Sequence, residues 1–285
     1  MYFPKFWAKS IVNEREASGT QFSIPVWRWS DHSLDDAQQL ANQAAELLRS
    51  RIRSGEYLSN EYYGDRPVRE EVIFEQKDEQ ESAELVITRN AQGCLVLNTA
   101  HVMFVDVDIE EPKPTLFKRV LGLFFEPTEK PETIEEAAIK HIRGWVEEHS
   151  ERGVRVYRTR GGLRYLITHK IYTPGDADSD RLLEQLNSDP QYRKLCSAQK
   201  SFRARLTPKP KRIGLYQPPV RFPYLKQEEK KQMDQWEQNY KNASSKRRTC
   251  EHVATFGNPI IHPKVQDVIE LHDQMTELHK DLPLA

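Results

Sequence analysis

Two aspartates stand at alternate positions at the end of a strongly apolar run. Residues 102–108 read VMFVDVD, so that Asp106 and Asp108 close an almost wholly hydrophobic segment. Because side chains alternate along a β-strand, both carboxylates are expected on the same face of a sheet. Like charges held this close repel each other unless a cation lies between them. Carboxylate oxygens suit Mg²⁺ or Mn²⁺, and the spacing therefore predicts a divalent-metal site, although a strand that ends in solvated acids has the same pattern.

Lysine and arginine are concentrated in two later segments, although the net charge of the whole chain is only −1. Residues 190–214 contain eight of them and no acid, and a predicted hairpin at 154–168 carries four arginines. The planar guanidinium group donates parallel hydrogen bonds to phosphate oxygens, which makes both segments candidates for binding a triphosphate or a nucleic-acid backbone. The predicted phosphate-binding residues are Arg158, Arg160, Arg164, Arg203, Arg205, Lys209 and Lys211.

The acids and the cations together indicate one kind of chemistry. A metal held by Asp106 and Asp108 would bridge phosphate oxygens while the cations neutralise the remaining charge, as phosphoryl transfer requires. The two aspartates are thus the predicted catalytic residues as well as the predicted metal ligands. The alternative is structural: Arg203 and Arg205, which share a strand face, would form buried ion pairs with the aspartates.

Short strands joined by turns are expected around the two aspartates. The apolar runs at 95–99 and 102–108 are close enough in sequence to predict neighbouring strands. Helices are expected from residue 34 to Gly55 and from 134 to about 149, the second behind a Thr133 cap. This order predicts an α+β fold with an antiparallel or mixed sheet rather than a doubly wound parallel one. The other predicted strands lie within 1–29 and at 68–76, 84–88, 154–157, 163–168 and 201–206, and short helices are expected at about 179–187 and 190–199.

The 285-residue chain suits one main domain with an extension. Residues 1–224 are expected to form the α+β domain, with its key segments at 95–212. Two amphipathic helices, at about 227–240 and 262–280, predict a helical C-terminal extension (225–285) packed on that domain. Prolines make 207–211 an expected extended segment. The loop at 62–67 is a candidate binding loop, and 116–125 is expected to be a short helix or a lid.

Composition narrows the classes of function. Three widely spaced cysteines without a CxxC motif, and an N-terminus without an uninterrupted apolar core, predict a reducing, cytoplasmic environment. No apolar run approaches the ~20 residues that a membrane-spanning helix needs, so no membrane partner is expected. The chain lacks P-loop, GxGxxG, HExxH and GxSxG patterns, which argues against common kinases, dehydrogenases, zincins and hydrolases. Cys250 and the nearby histidines do not have the spacing of a standard zinc site.

Three segments resemble the archaeo-eukaryotic primase and primase-polymerase superfamily. They are FVDVD at 104–108, YRTRGGLRY at 157–165 and FRARLTPKPK at 202–211. The resemblance covers about 102–212 and implies an RRM-like catalytic core, with Asp106 and Asp108 as ligands of the catalytic metal. The chain departs from that family in having Arg164 where the family has a histidine after the Gly-Gly turn. Only Asp189 is a candidate for the family's third carboxylate.

These observations predict a metal-dependent nucleotidyltransferase that binds a nucleoside triphosphate or a nucleic acid, with Mg²⁺ or Mn²⁺ as cofactor. The alternative is a nucleic-acid- or protein-binding module whose primase-like core has lost its chemistry. A third interpretation is a glycosyltransferase that uses the Asp-x-Asp pair for a nucleotide sugar. That class normally needs an N-terminal parallel nucleotide-binding half, and residues 1–100 do not have that pattern.

Overall fold

The computed structural model describes residues 1–15, 21–55, 67–109, 132–276 and 281–285. Within these ranges the chain is α+β with antiparallel sheets, as the sequence predicts. The strands are β1 (Phe6–Arg15), β2 (Gln21–Ser30), β3 (Glu71–Lys77), β4 (Ala83–Arg89), β5 (Leu95–Thr99), β6 (Phe104–Asp108), β7 (Gly153–Thr159), β8 (Gly162–Ile167), β9 (Phe202–Arg205) and β10 (Cys250–Gly257). The helices are α1 (Leu34–Arg53), α2 (Ile134–Glu147), α3 (Ala177–Gln185), α4 (Pro190–Gln199), α5 (Gln227–Ser244) and α6 (Pro263–Met275).

An N-terminal unit consists of the β1–β2 hairpin and helix α1. The Ser33 side chain caps α1 by accepting a hydrogen bond from the backbone N–H of Asp36. The helix buries Ala37, Ala41 and Ala45, which are spaced four residues apart and therefore lie on one face. These small side chains let the helix pack closely on the hairpin.

The central sheet has the strand order β10-β7-β8-β6, and every pair is antiparallel. One face carries Val105, Val107 and Tyr165 and packs against Ile142 and Trp145 of α2. Alternation places Asp106 and Arg164 on the opposite face. Helix α2 begins with a complete capping box formed by Thr133 and Glu136, which confirms the predicted start of this helix.

The second sheet has the order β3-β4-β5-β9. The prediction that the strands at 95–99 and 102–108 are neighbours is therefore wrong, because β5 and β6 belong to different sheets. Each strand pairs with one that is distant in sequence: Val96 of β5 lies opposite Arg205, and Asp106 of β6 lies opposite Arg164. Sequence separation alone does not reveal such long-range pairing.

The hydroxyl of Tyr192, on α4, joins the two sheets. It lies 2.9 Å from the carbonyl oxygen of Phe104 on β6 and 3.1 Å from that of Arg203 on β9, and it accepts a hydrogen bond from the Arg203 N–H. A shared apolar core lies between the sheets and α6, and it includes Leu97, Phe104 and Val265. The beginnings of β6 and β9 are thus held side by side.

The C-terminal segment differs from the predicted helical extension. The two predicted helices are present as α5 and α6, but strand β10 lies between them and pairs along the whole of β7. Residues 225–285 thereby complete the central sheet, because β7 would otherwise have an unpaired edge. The sequence of β10 gave no strand signal because its buried and exposed positions do not alternate regularly.

The remaining expectations concern the segment 207–211, two candidate functional segments and membrane-spanning helices. The segment predicted to be fully extended at 207–211 instead enters a 3₁₀ turn at Pro210–Ile213, with proline at the first helical position, where its missing N–H costs nothing. The candidate lid at 116–125 lies outside the described residues, as does the candidate loop at 62–67 apart from Pro67. Among the described helices, none is both long enough and apolar enough to cross a bilayer.

Candidate phosphate and metal site

Asp106 and Asp108 are among the last three residues of β6, which ends beside the β7–β8 turn. Asp106 faces Arg164 across the ladder and Asp108 faces Gly162. The side chain of Asp106 is 40% exposed and Asp108 is also exposed, so both carboxylates are accessible. Gly162 is required here, because a Cβ atom at this position would lie 2.0 Å from the carbonyl oxygen of Val107.

Asp189 supplies a third carboxylate beside this pair. Its backbone N–H donates a 2.9 Å hydrogen bond to the carbonyl oxygen of Asp106, and its side chain caps α4 by accepting from the Tyr192 N–H. Partial desolvation raises the pKa of Asp108, and the charges of Asp106 and Asp189 raise it further. Asp106 and Asp189 are therefore both close enough to Asp108 to repel its charge. Asp189, the candidate for the third carboxylate of the resembling family, thus lies next to Asp108.

Arg164 is the most deeply buried cation at the site, with 3% of its side chain exposed. Its Nη1 donates a 3.0 Å hydrogen bond to the carbonyl oxygen of Arg205 and lies 3.2 Å from Nε2 of His272. Its Nε has no hydrogen-bond partner among the described residues and lies 4.0 Å from Oδ1 of Asp106. That separation is too long for a hydrogen bond, so the charges attract without closing a direct contact.

Arg205, Lys209 and Arg212 extend the positive charge around the acids. Burial lowers the pKa of each of them, and mutual repulsion lowers it further: Arg164 acts on Arg205, and Arg205 acts on Lys209. Nε of Arg205 and Nη1 of Arg212 are buried without a hydrogen-bond partner among the described residues. Buried donors normally have partners, so Arg205 and Arg212 depart from that rule within the described residues. We call Arg164, Arg205, Lys209 and Arg212 the cationic cluster.

Arg212 was not among the predicted site residues. It was counted in the basic segment, but nothing in its sequence context distinguished it from its neighbours. The 3₁₀ turn that starts at Pro210 brings its guanidinium group close to the β7–β8 turn, with Nη2 3.5 Å from where a Cβ on Gly161 would lie. Arg160, exposed in that turn, is near enough to lower the pKa of Arg212 further.

Two predicted phosphate ligands lie elsewhere and have other partners. Arg203 is buried and donates to both carboxylate oxygens of Glu70 at 2.8 Å, so its charge is already neutralised. Arg158 forms ion pairs with Glu135 and Glu251 on the face of the sheet opposite to Asp106. Lys211 is exposed on the 3₁₀ turn. The alternative pairing of Arg203 with the aspartates is likewise not what the structure shows.

Comparison with known protein families, with curated proteins and with solved structures finds no match to this chain. Any function has to be inferred from the geometry of the site. Within the described ranges no group of three or more His, Cys, Asp or Glu side chains is arranged to hold a metal ion by itself. Mg²⁺ is commonly bound by one or two carboxylates with substrate phosphates and water completing its shell, and Asp106 and Asp108 fit that arrangement.

A separate cleft of about 280 Å³ lies between the N-terminal hairpin and the body of the chain. Its walls include Trp7, Trp27, Trp29, Phe222, Tyr224 and Arg221. The guanidinium group of Arg69 lies 3.8 Å from the centre of the Trp27 ring. Trp27 and Trp29 are only partly buried. None of the three carboxylates of the candidate site lines this cleft.

Proposed function

We propose that this chain binds a nucleoside triphosphate, or the phosphate backbone of a nucleic acid, and performs metal-dependent nucleotidyl transfer of the primase-polymerase kind on an RRM-like core. The observation that carries the proposal is the cationic cluster beside the three carboxylates. Arg164 and Arg212 are close enough to lower the pKa of Arg205, and Arg205 and Arg212 are close enough to lower that of Lys209. Three nitrogen atoms of this cluster are buried without a partner among the described residues. An anion with several oxygens satisfies these donors and offsets the repulsion between the cations.

The carboxylates would add a metal-binding part to the proposed anion site. Asp106 and Asp108 would hold Mg²⁺ or Mn²⁺, and Asp189 adds negative charge close to both. Such an ion would supply a positive charge that stabilises the negative charge developing on the phosphate during transfer. The chain's own groups bind and orient the phosphates through Arg164 and Arg205. A site with cations on one side and acids on the other suits a metal–triphosphate complex better than a free anion, which the carboxylates would repel.

A binding experiment tests this function directly. Mn²⁺ and a fluorescent ATP analogue are titrated against wild-type protein and the Asp106→Asn/Asp108→Asn variant, which keeps side-chain size and removes two charges. We expect Mn²⁺ to tighten nucleotide binding to the wild type at least tenfold and to have little effect on the variant. Asp178→Asn, on the exposed start of α3, is the matched control and should behave as wild type. Equal metal enhancement in all three proteins would remove the site.

Catalysis is tested by a second measurement. Wild-type protein is incubated with Mn²⁺, nucleoside triphosphates and single-stranded templates, with and without a primer, and products are separated by length. New or extended strands that disappear in the Asp106→Asn/Asp108→Asn variant support nucleotidyl transfer. Nucleotide binding that depends on metal, without any product on DNA or RNA templates, would instead restrict the protein to binding.

The aromatic cleft favours a second candidate, a single-strand-binding module without chemistry. Base stacking on tryptophan combined with arginine is a common way to bind single strands without sequence preference. Trp27, Trp29 and Arg69 offer such groups on the wall of the cleft. Oligonucleotide binding that needs no metal, weakens steeply with salt and is lost in Trp27→Ala favours this candidate. Binding that is lost in Asp106→Asn/Asp108→Asn argues against it.

A further inference from the structure

His272 lies behind Arg164, on the side away from the acids. It is fully buried in the last turn of α6. Its Nε2 is 3.2 Å from Nη1 of Arg164, and its Nδ1 is 3.0 Å from Oδ1 of Asp273. Arginine can only donate, so Nε2 must accept from Arg164. The proton of a neutral imidazole then resides on Nδ1 and is donated to Asp273, which fixes the tautomer from the identities of the partners.

The hydrogen-bond network extends from Asp273 to Arg155 and Tyr157. Oδ2 of Asp273 accepts a 2.7 Å hydrogen bond from Nη2 of Arg155, and Nε of Arg155 donates to the hydroxyl of Tyr157 at 2.8 Å. The imidazole ring is in contact with Tyr157 and Phe104, with ring centres 4.8 and 5.4 Å away. The ring therefore has little freedom to turn, and the acceptor that it offers Arg164 is fixed in direction.

We infer that His272 is a positioning residue for the proposed phosphate site: by accepting from Nη1 it fixes the orientation of the Arg164 guanidinium group, with Nε turned toward Asp106. The inference rests on the proposed function. Nη1 makes two contacts, to His272 and to the Arg205 carbonyl, and these set the plane of the group. His272, which makes this contact with Arg164, belongs to α6 and lies 108 positions later in the sequence.

Two substitutions of similar size separate the two hydrogen bonds of the ring. In His272→Gln the amide oxygen takes the place of Nε2 and keeps an acceptor for Arg164. In His272→Asn the amide nitrogen takes the place of Nδ1, so that the donor to Asp273 is kept and the acceptor for Arg164 is lost. Both replacements are neutral and polar. A purely structural role for the buried histidine predicts similar losses in both, whereas positioning predicts unequal ones.

The experiment measures binding of a fluorescent ATP analogue with Mn²⁺ to the full chain, after thermal unfolding has shown that each variant is folded at the assay temperature. We expect the dissociation constant to rise roughly tenfold or more in His272→Asn and to stay within roughly threefold of wild type in His272→Gln. A double-mutant cycle adds Arg164→Lys. If His272 acts through Arg164, the second substitution should add little to the effect of the first.

The outcomes distinguish this inference from the function on which it rests. Tight binding by the wild type with equal binding by His272→Asn overturns the positioning role and leaves the proposed function intact. Losses that add independently in the double-mutant cycle overturn it as well. Absence of metal-dependent nucleotide binding by the folded wild type overturns both.

Discussion

One nitrogen of Arg203 donates hydrogen bonds to both carboxylate oxygens of Glu70, at 2.8 Å each, and both residues are almost completely buried. Two positions along the same strand, Arg205 has a buried Nε without a partner, and burial together with Arg164 lowers its pKa. One strand therefore carries a neutralised arginine and an uncompensated one. The first belongs to the core, and the second belongs to the candidate site.

This difference predicts unequal effects of the same substitution on stability. Arg203→Met leaves the Glu70 carboxylate buried without its cation, and should lower the free energy of unfolding by about 3–5 kcal/mol. Arg205→Met removes a cation that burial and its neighbours disfavour, and should change that free energy by less than about 1 kcal/mol, in either direction. Urea unfolding of both variants and the wild type measures the difference.

Nucleotide binding provides the second readout for this pair. Arg205→Met should weaken binding of the ATP analogue, while any Arg203→Met protein that remains folded should bind it normally. Equal destabilisation by the two substitutions would show that Arg205 has a structural partner, and would weaken the case for an anion site.

Acid should destabilise the protein through His272. Desolvation is the main cause that lowers the pKa of His272 to about 4, from an ordinary value of 6.5. Between these two values the unfolded chain binds a proton that the folded chain does not, so the free energy of unfolding falls as the pH falls. The loss for this one group is roughly 3 kcal/mol by pH 4. The stability that depends on a neutral His272 is fully present above pH 6.5.

Comparison with His272→Gln isolates this effect. Burial also lowers the pKa of His169 and of His252, and both act in the same direction. Urea unfolding at several pH values between 4 and 7 should therefore show a slope in both proteins, and a steeper one in the wild type. Parallel slopes would mean that His272 is protonated or accessible in the folded state.

The local part of the fold could be predicted from sequence, and the long-range part could not. The Thr133 cap, the Gly161-Gly162 turn and the Asp-x-Asp face follow from side-chain chemistry within a few residues. Strand β5 pairs with β9, and β10 pairs with β7, across about a hundred residues of sequence. Short sequence patterns give no signal for such distant partners. The site shows the same division. Asp106, Asp108 and the basic segments were evident, whereas His272, Arg212 and the Glu70 partner of Arg203 emerge only from packing.

The turn beside Asp108 should be sensitive to a single methyl group. A Cβ on Gly162 would lie 2.0 Å from the Val107 carbonyl oxygen and 2.8 Å from the backbone nitrogen of Ile109, and neither backbone atom can move without displacing Asp108. We expect Gly162→Ala to lower the free energy of unfolding by about 1–3 kcal/mol and to weaken metal-dependent nucleotide binding.

Gly144 provides the matched control for this substitution. It lies on the exposed side of α2, and a Cβ there would meet nothing within 4 Å. Alanine is a better helix former than glycine, so Gly144→Ala should raise the free energy of unfolding by about 0.5–1 kcal/mol and leave binding unchanged. A Gly162→Ala protein as stable and as active as wild type would show that β6 and β8 are not in this close contact.

Tyr192 should matter to both stability and binding because its hydroxyl holds β6 and β9 together. The groups that it contacts, Phe104 and Arg203, each lie two residues from a site residue, Asp106 and Arg205 respectively. Tyr192→Phe leaves the Arg203 N–H and a neighbouring carbonyl without this partner, which should cost about 1–3 kcal/mol. It should also let the two strands separate, so that the carboxylates and the cationic cluster no longer contact one phosphate group at the same time.

Tyr216→Phe is the control. Because Tyr216 is 90% exposed, the free energy of unfolding of this variant should lie within about 0.5 kcal/mol of the wild-type value. Urea unfolding and metal-dependent nucleotide binding are measured for both variants. If Tyr192→Phe lowers stability but leaves nucleotide affinity unchanged, the connection supports the fold alone, and the position of the site does not depend on how the two sheets meet.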